Sequence, residues 1–512
     1  MTNPCRRLLH DPGEMRERGG GRHEESQNVH TAGIRQELNF VKRLYGADIF
    51  HCSSFQLRKY LIDSLTRPDR FRQLLYNRNI GQQSVCEGKY HMKQRFFHVA
   101  AILSILLNAC QPAAREHISF MVFGDPAELA AYSQLVDTFQ KKHPKIQVEI
   151  IHIPGQSDYR KRLAADLVAG TPADVVLINY RRYAAFAKAG ALEPLGEYLK
   201  KSKLINEAGF FPEAIKPFKW NGELMCIPQN ISSLVVYYNK DLFDQVGVDY
   251  PAQGWTWSDF LAAALALTRD IDGDGTTDQF GAGIEASLIR LAPFIWQAGG
   301  EVVNNEFHPT TLMLTTNEAR EAAEFFFGLQ TVHHVVPSAE YEAAEDSESR
   351  FINGRLAMFF NSRRGVPTYR ESAAFNWDVA ALPQYKIQAG VLHTDAYCLP
   401  SASKNKDAAW TFIEFANSVE GQTIVAASGR TVPSLISVAN SPAFLDPEAK
   451  PANSRIFLDT IPFIRALPIH PNWAEIEEVA SAELARGFFG DVDPEEAMLR
   501  AIRSTGEYFS GN

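Results

Sequence analysis

Gly170-Thr171-Pro172-Ala173-Asp174-Val175-Val176-Leu177-Ile178 is the stretch on which the fold turns. Val175 to Ile178 is an unbroken aliphatic run entered through Asp174. It lacks the alternation of a half-exposed strand, so it reads as a strand buried on both faces, as in a parallel sheet covered by helices. Upstream, Ile118–Phe123 reads as a strand, and Asp125-Pro126 opens a helical period over Ala127–Lys141. Ile146–Ile151 alternates as a second strand, and Asp158–Ala169 is helical. Downstream, Tyr183–Lys188 is helical and stops at Gly190. The order βαβαβα predicts a doubly wound α/β lobe.

Past Gly190 the alternation is less regular. Leu234–Asn239 reads as a strand leaving the first lobe, and Thr256 stands as the N-cap of a helix running to Leu267. Ala319–Gln330, Asp407–Ser418 and Pro494–Phe509 are helical, while Leu356–Phe360 and Gly390–His393 read as strands. No repeat of 20–50 residues is visible, which excludes a solenoid.

Several segments, taken in order, resemble a known family. Gly170–Val176 is followed by Gly190-Ala191-Leu192-Glu193-Pro194-Leu195. Then come Pro228–Phe243, Gly254-Trp255-Thr256-Trp257-Ser258-Asp259-Phe260, Trp296-Gln297-Ala298-Gly299-Gly300 and Lys404–Trp410. Together they are similar to the family 1 extracellular solute-binding proteins of ABC transporters, the group that includes maltose-binding proteins. The resemblance covers nearly all of Ile118 to Phe509. It implies an α/β, two-lobed periplasmic-binding-protein-like fold of type II, with discontinuous lobes joined by crossing segments. Lobe one maps to 115–230 and 390–437, lobe two to 231–389 and 438–512. It also implies capture of a sugar or related polyol in the interlobe cleft, delivery to the membrane permease subunits of an ABC importer, and no chemistry on the guest.

A sugar presents hydroxyls at its rim and C–H faces above and below. Its site therefore needs planar polar side chains and aromatic platforms, placed at strand ends and crossings. Asp125, Asn179, Tyr180 and Arg181 are the candidates from lobe one, and Gln229, Asn230 and Ser232 from the first crossing. Trp296, Asn361, Ser362 and Arg363 come from lobe two, Asp395 and Tyr397 from the return strand, with Arg430 and Trp473 in addition. Each has a bland alternative: turn caps for Asn179 and Gln229, a core position for Trp296, a solvated turn for Asn361–Arg364. Arg363 beside Arg364 also admits an anionic sugar phosphate.

Asp270-Ile271-Asp272-Gly273-Asp274-Gly275-Thr276-Thr277-Asp278 has carboxylates at positions 1, 3, 5 and 9, glycine at 6 and the Thr276 carbonyl at 7. That is the spacing of an EF-hand-like loop, and it predicts a structural Ca2+ held by Asp270, Asp272, Asp274, Thr276 and Asp278. Position 12 is Gly281 rather than Glu. The alternative is a solvated acidic turn.

Length and composition fit an ordinary multi-domain globular chain: 512 residues, 45% hydrophobic and 22% charged. The formal net charge of −9 is uneven, since residues 1–91 carry 15 Lys+Arg against 10 Asp+Glu. An acidic body excludes a general nucleic-acid surface. Met92-Lys93-Gln94-Arg95 precedes an apolar run to Ala109, too short to span a bilayer, and 92–109 reads as a signal peptide. Leu107-Asn108-Ala109-Cys110 resembles a bacterial lipobox. This implies lipidation at Cys110, a polar tether over 110–117 and an extracytoplasmic, membrane-anchored lipoprotein (periplasmic or at the cell surface). Residues 1–91, with the glycine-rich, charged stretch Gly19–Ser26, are expected to be a non-native or disordered extension ahead of a true start at Met92.

Cys226 and Cys398 are read as two free, buried thiols, a disulfide being the alternative in an oxidising compartment. The sequence holds no Gly-x-Ser-x-Gly, P-loop or HExxH. Two rival classes stay open: an enzyme on the same fold, with Cys226 as nucleophile or paired carboxylates, and a calcium-stabilised scaffold. The expected state is a monomer.

Overall fold

The computed structural model describes residues 115–510. The extension 1–91, the signal 92–109, Cys110 and the tether up to residue 114 lie outside the described residues. Nine strands build two sheets: β1 (Glu116–Phe123), β2 (Ile146–Ile153), β3 (Val175–Asn179), β4 (Cys226–Pro228), β5 (Val235–Asn239), β6 (Phe280–Gly283), β7 (Leu356–Asn361), β8 (Trp377–Ala380) and β9 (Asp395–Cys398).

The first sheet has the order β2-β1-β3-β9-β4. β1 runs parallel to β2 and β3, and β9 is antiparallel to β3 and β4. Val175, Val176, Leu177 and Ile178 are fully buried, as their unbroken apolar run requires. The connecting helices begin and end where local chemistry dictates. Asp125 accepts from the Glu128 amide and Pro126 takes the first position of helix Pro126–Lys142. Helix Gln156–Ala169 stops at Gly170, whose φ of +71° disfavours any side chain.

The second sheet has the order β8-β5-β7-β6, with β5 antiparallel to β7 and β8 and with β6 parallel to β7. β5 and β7 are buried along their whole length. Thr256 caps helix Trp257–Leu267 with a reciprocal Thr256–Asp259 capping box. Helix Trp473–Phe488 packs on helices Leu288–Gln297 and Asn317–Thr331, and helix Pro494–Ser510 packs on it. The α/β two-lobed architecture is therefore present. The chain crosses between the sheets from Pro228 to Val235 and returns from Ala380 to Asp395. The crossings touch: Ser232 and His393 exchange two backbone bonds of 2.8 Å, and the Ile231 amide donates to Val432.

Two expectations need correction. The strand over Gly390–His393 is only Gly390–Val391, paired with Ile464–Arg465 outside the main sheets; the return strand proper is β9. Its four residues are too short to show a period. Cys226 and Cys398 are not free thiols but a disulfide. They stand directly opposite across β4 and β9 with Cα atoms 4.5 Å apart, the spacing of a non-hydrogen-bonded antiparallel pair and within reach of a bridge. A bonded sulfur is no nucleophile, so the reading of Cys226 as a catalytic thiol falls.

Candidate functional site

The loop leaving β1 holds the first group of polar side chains. Gly124 has φ +123°, and a Cβ there would overlap the Glu128 carboxylate. Asp125 and Glu128 both pair with Arg430, Glu128 at 2.7 Å. Arg430 also reaches the Arg364 carbonyl at 3.3 Å, across to the end of β7. Behind them the Tyr132 hydroxyl and the Gln229 amide exchange hydrogen bonds of 3.0–3.2 Å. Burial pushes the Glu128 carboxyl up to about 7, although Arg430 opposes the shift.

A carboxyl raised in the folded state gives stability that is complete below its unfolded value and is lost as pH rises through its folded value. Unfolding free energy is expected to fall between pH 5 and pH 7.5 by up to about 3 kcal/mol through this group. Glu128→Gln should flatten that slope in urea titrations across the range, and an unchanged slope would remove Glu128 as its source.

At the exit of β3, Asn179 donates to Asp395 at 3.1 Å and accepts from the Arg181 amide and Nε at 3.2 Å. Burial raises the Asp395 carboxyl, against hydrogen bonds from Asn179 and Asn230 and the charges of Arg181 and Arg430. The Tyr180 hydroxyl accepts from the Leu467 amide at 3.1 Å. Arg181 reaches across to Glu477 on helix Trp473–Phe488. Asn230 accepts from the Asp395 amide at 2.8 Å and so locks the first crossing to the return strand. Ser232 uses its backbone to bind His393, and its hydroxyl stays local, on the Ser233 carbonyl.

On the second lobe the sequence candidates separate. Trp296 is a core residue, with the Arg465 guanidinium 4.9 Å from its ring centre. Asn361 binds the Tyr369 hydroxyl at 2.7 Å, and the Ser362 carbonyl accepts from Tyr237. Arg363 is buried between the rings of Phe444 and Phe457, at 4.7 and 5.0 Å, and donates to the Gly429 carbonyl at 2.7 Å. It therefore acts as a pin within the packing. Its neighbour Arg364 is the half-exposed one. Tyr397 is buried under the first sheet, in contact with Phe120 and Phe412, and its hydroxyl meets no protein group.

Sequence reading missed Glu128, Ser287, Arg290, His393 and Glu477. Ser287, Arg290, His393 and Glu477 join Trp473 in an unusual feature among the described residues. Ser287 Oγ, Arg290 Nε, His393 Nε2, Trp473 Nε1 and Glu477 Oε2 are all buried, and none meets a protein partner. Geometry ties them together. Trp473, Glu477 and Ser481 follow at i, i+4 and i+8 along one helix face. Ser481 accepts from the Leu288 amide at 3.0 Å, beside Ser287 and one turn from Arg290. Glu477 takes Arg181 from the first lobe. Burial, then the charges of Arg290, Arg181 and Arg364, hold His393 well below the usual imidazole range, so it is neutral. Buried polar groups left unpaired cost about 1–3 kcal/mol each, and proteins pair nearly all of them. Four such hydrogen-bonding groups and one acceptor oxygen between two lobes form a surface suited to a polar guest.

A cavity of about 650 Å³, also walled by both lobes, is lined by Lys216, Trp220, Phe307, His308, Ile464 and Ala466–Ile469 among others. It includes none of the unpaired atoms, so the interlobe cluster is the candidate site. In the acidic loop, one carboxylate oxygen from each of Asp270, Asp272 and Asp278 lies within 4.8 Å of the others. Ligands about 2.4 Å from a shared Ca2+ can be no farther apart than that, so the set fits. A Cβ on Gly281 would overlap the Ala264 carbonyl, which rules out the usual acid at position 12.

The chain matches the bacterial extracellular solute-binding proteins over residues 124–423, more than half its length. A binding protein of Brucella abortus is 25% identical over 377 residues, 72% of this chain and 87% of the relative. The ABC substrate-binding protein Lmo0181 of Listeria monocytogenes, in complex with cycloalternan, superposes with a TM-score of 0.72 at 24% identity, covering 77% of this chain and 99% of its own. UgpB of Mycobacterium tuberculosis, in complex with glycerophosphocholine, gives 0.68 at 21% identity, covering 77% and 98%. The chain belongs to the family of bacterial extracellular solute-binding proteins.

Proposed function

We propose that the protein captures a small hydroxyl-rich solute, a sugar or related polyol, between its lobes and delivers it to the permease subunits of an ABC importer. The observation that carries this reading is the set of unpaired buried atoms at the lobe junction. A guest with hydroxyls facing several ways meets the donors of Ser287, Arg290 and Trp473 and donates a hydrogen bond to Glu477 Oε2. Touching both lobes, it favours the closed form by as much as it binds closed better than open. The polyol-bearing guests of the Listeria and Mycobacterium neighbours agree with this chemistry.

No helix among the described residues is long and apolar enough to cross a membrane. Membrane attachment in this reading runs through a lipid on Cys110, supported by the short signal-like run before it. A Cys226–Cys398 disulfide suits an oxidising, extracytoplasmic compartment. The division into 115–230 with 390–437 and 231–389 with 438–512 is supported by strand membership of the two sheets. The working unit is a monomer. Native mass spectrometry of protein purified without refolding tests the reading: a small polyol should co-purify and leave intact, and a cleaved guest would overturn it.

The acidic loop takes a structural Ca2+ through Asp270, Asp272 and Asp278, supported by the fit of their oxygens. Calcium at a hundredfold excess over its Kd should stabilise the protein by about 2.7 kcal/mol. The gain should vanish on chelation and in Asp270→Asn. A melting temperature indifferent to calcium would contradict the site.

A further inference from the structure

We infer that the guest carries a phosphate ester, seated at the N-terminal turn of helix Leu288–Gln297. The inference rests on the solute-binding reading and deepens it.

The turn departs from the usual way a helix begins. A serine at the N-cap normally accepts a hydrogen bond from an amide of the first turn. Ser287 is the N-cap, with extended backbone angles of φ −149° and ψ 159°, yet makes no such bond. Its hydroxyl is instead buried, only 5% of the residue being exposed, and meets no protein group. The turn is fixed from behind, because Ser481 holds the Leu288 amide. A free hydroxyl at the positive end of a ten-residue helix is a donor set for an oxyanion.

Arg290, the third helical residue, strengthens it. Its Nε is buried and without a partner. The carboxylate within ion-pair distance is Glu285, met by the other end of the guanidinium at 3.2 Å and itself mostly in water, with 63% of its side chain exposed. Like charges from Arg364 and Arg181 also act on Arg290, alongside the opposite charges of Glu285 and Glu477. His393, neutral and with a free Nε2, faces the same three arginines.

A neutral sugar would meet the hydroxyl and the imidazole but leave this guanidinium only the water-facing Glu285 and the more distant Glu477, which Arg181 already pairs. A phosphate ester meets all of them. Its terminal oxygens can accept at once from groups on separate segments. The remaining hydroxyls of the guest then face Glu477 Oε2 and Trp473 Nε1.

The test is isothermal titration of the folded protein with triose and hexose phosphates, each beside its dephosphorylated sugar, at low and high salt. A phosphate ester is expected to bind at least tenfold tighter than its neutral partner. In Arg290→Met that ratio should fall towards one, and in Arg364→Ala, a change at a half-exposed side chain, it should fall several-fold. Inorganic phosphate alone should raise the melting temperature of the parent chain above an equal ionic strength of chloride, and not that of Arg290→Met. Neutral sugars binding as tightly as their phosphates, with Arg290→Met weakening both alike, would overturn the anion subsite while leaving solute capture intact. No binding of either kind to folded protein would overturn both.

Discussion

Replacing Arg363 with alanine is expected to destabilise the protein by about 3–5 kcal/mol, because it empties a large buried volume and strips its neighbours of a partner. The side chain fills the space between Phe444 and Phe457 and ties the end of β7 to the Gly429 carbonyl and, at 3.2 Å, to Ser454 Oγ. No carboxylate pairs with it among the described residues, and burial pushes its guanidinium down to about 10. Methionine, of similar length and without charge, should therefore cost far less than alanine and leave solute affinity within a few-fold of the parent. The two variants separate packing from binding. Equal destabilisation in urea unfolding would show that the hydrogen bonds, rather than the filled volume, hold this region. Loss of solute binding in a stable methionine variant would return Arg363 to the cleft.

The second large effect is on the disulfide. Joining Cys226 to Cys398 closes a loop of 172 residues in the unfolded chain. Long loops lose the most entropy on closure, and native bridges contribute about 2–5 kcal/mol. Cys226→Ala with Cys398→Ala should lower the urea midpoint accordingly, and a reductant should do the same to the parent and nothing to the variant. Identical midpoints with and without reductant would mean that the pair is not bonded. Solute affinity should survive in the folded variant, because both sulfurs lie within the first sheet and away from the unpaired cluster.

The parts of the molecule legible in the sequence are those with a local cause. Val175–Ile178 is apolar on every side because both faces are covered. Asp125, Thr256 and Gly170 mark helix ends through their own hydrogen bonds or backbone angles. The same logic placed Asp125, Asn179, Arg181 and Asp395 at strand exits and the return strand, where Asn179 bonds both Arg181 and Asp395, and Asp125 pairs with Arg430. What escaped has a non-local cause. Helix Leu288–Gln297 is short, mostly buried and interrupted by Pro293, a residue that reads in sequence as a helix breaker. Arg290 was missed with it. Arg363 and Arg364 are neighbours that alternate sides beyond a strand end, and only packing decides which one is buried. His393 and Glu477 gain meaning only once residues from distant segments meet them.

Closure of two lobes over a polar guest that leaves unchanged is the central claim, and small-angle scattering tests it most directly. Titrating the ligand-free protein with a solute shown to bind should reduce the radius of gyration to a saturable limit, with the solute recovered intact. A scattering curve that stays the same at saturation, or a solute recovered as fragments, would contradict the account.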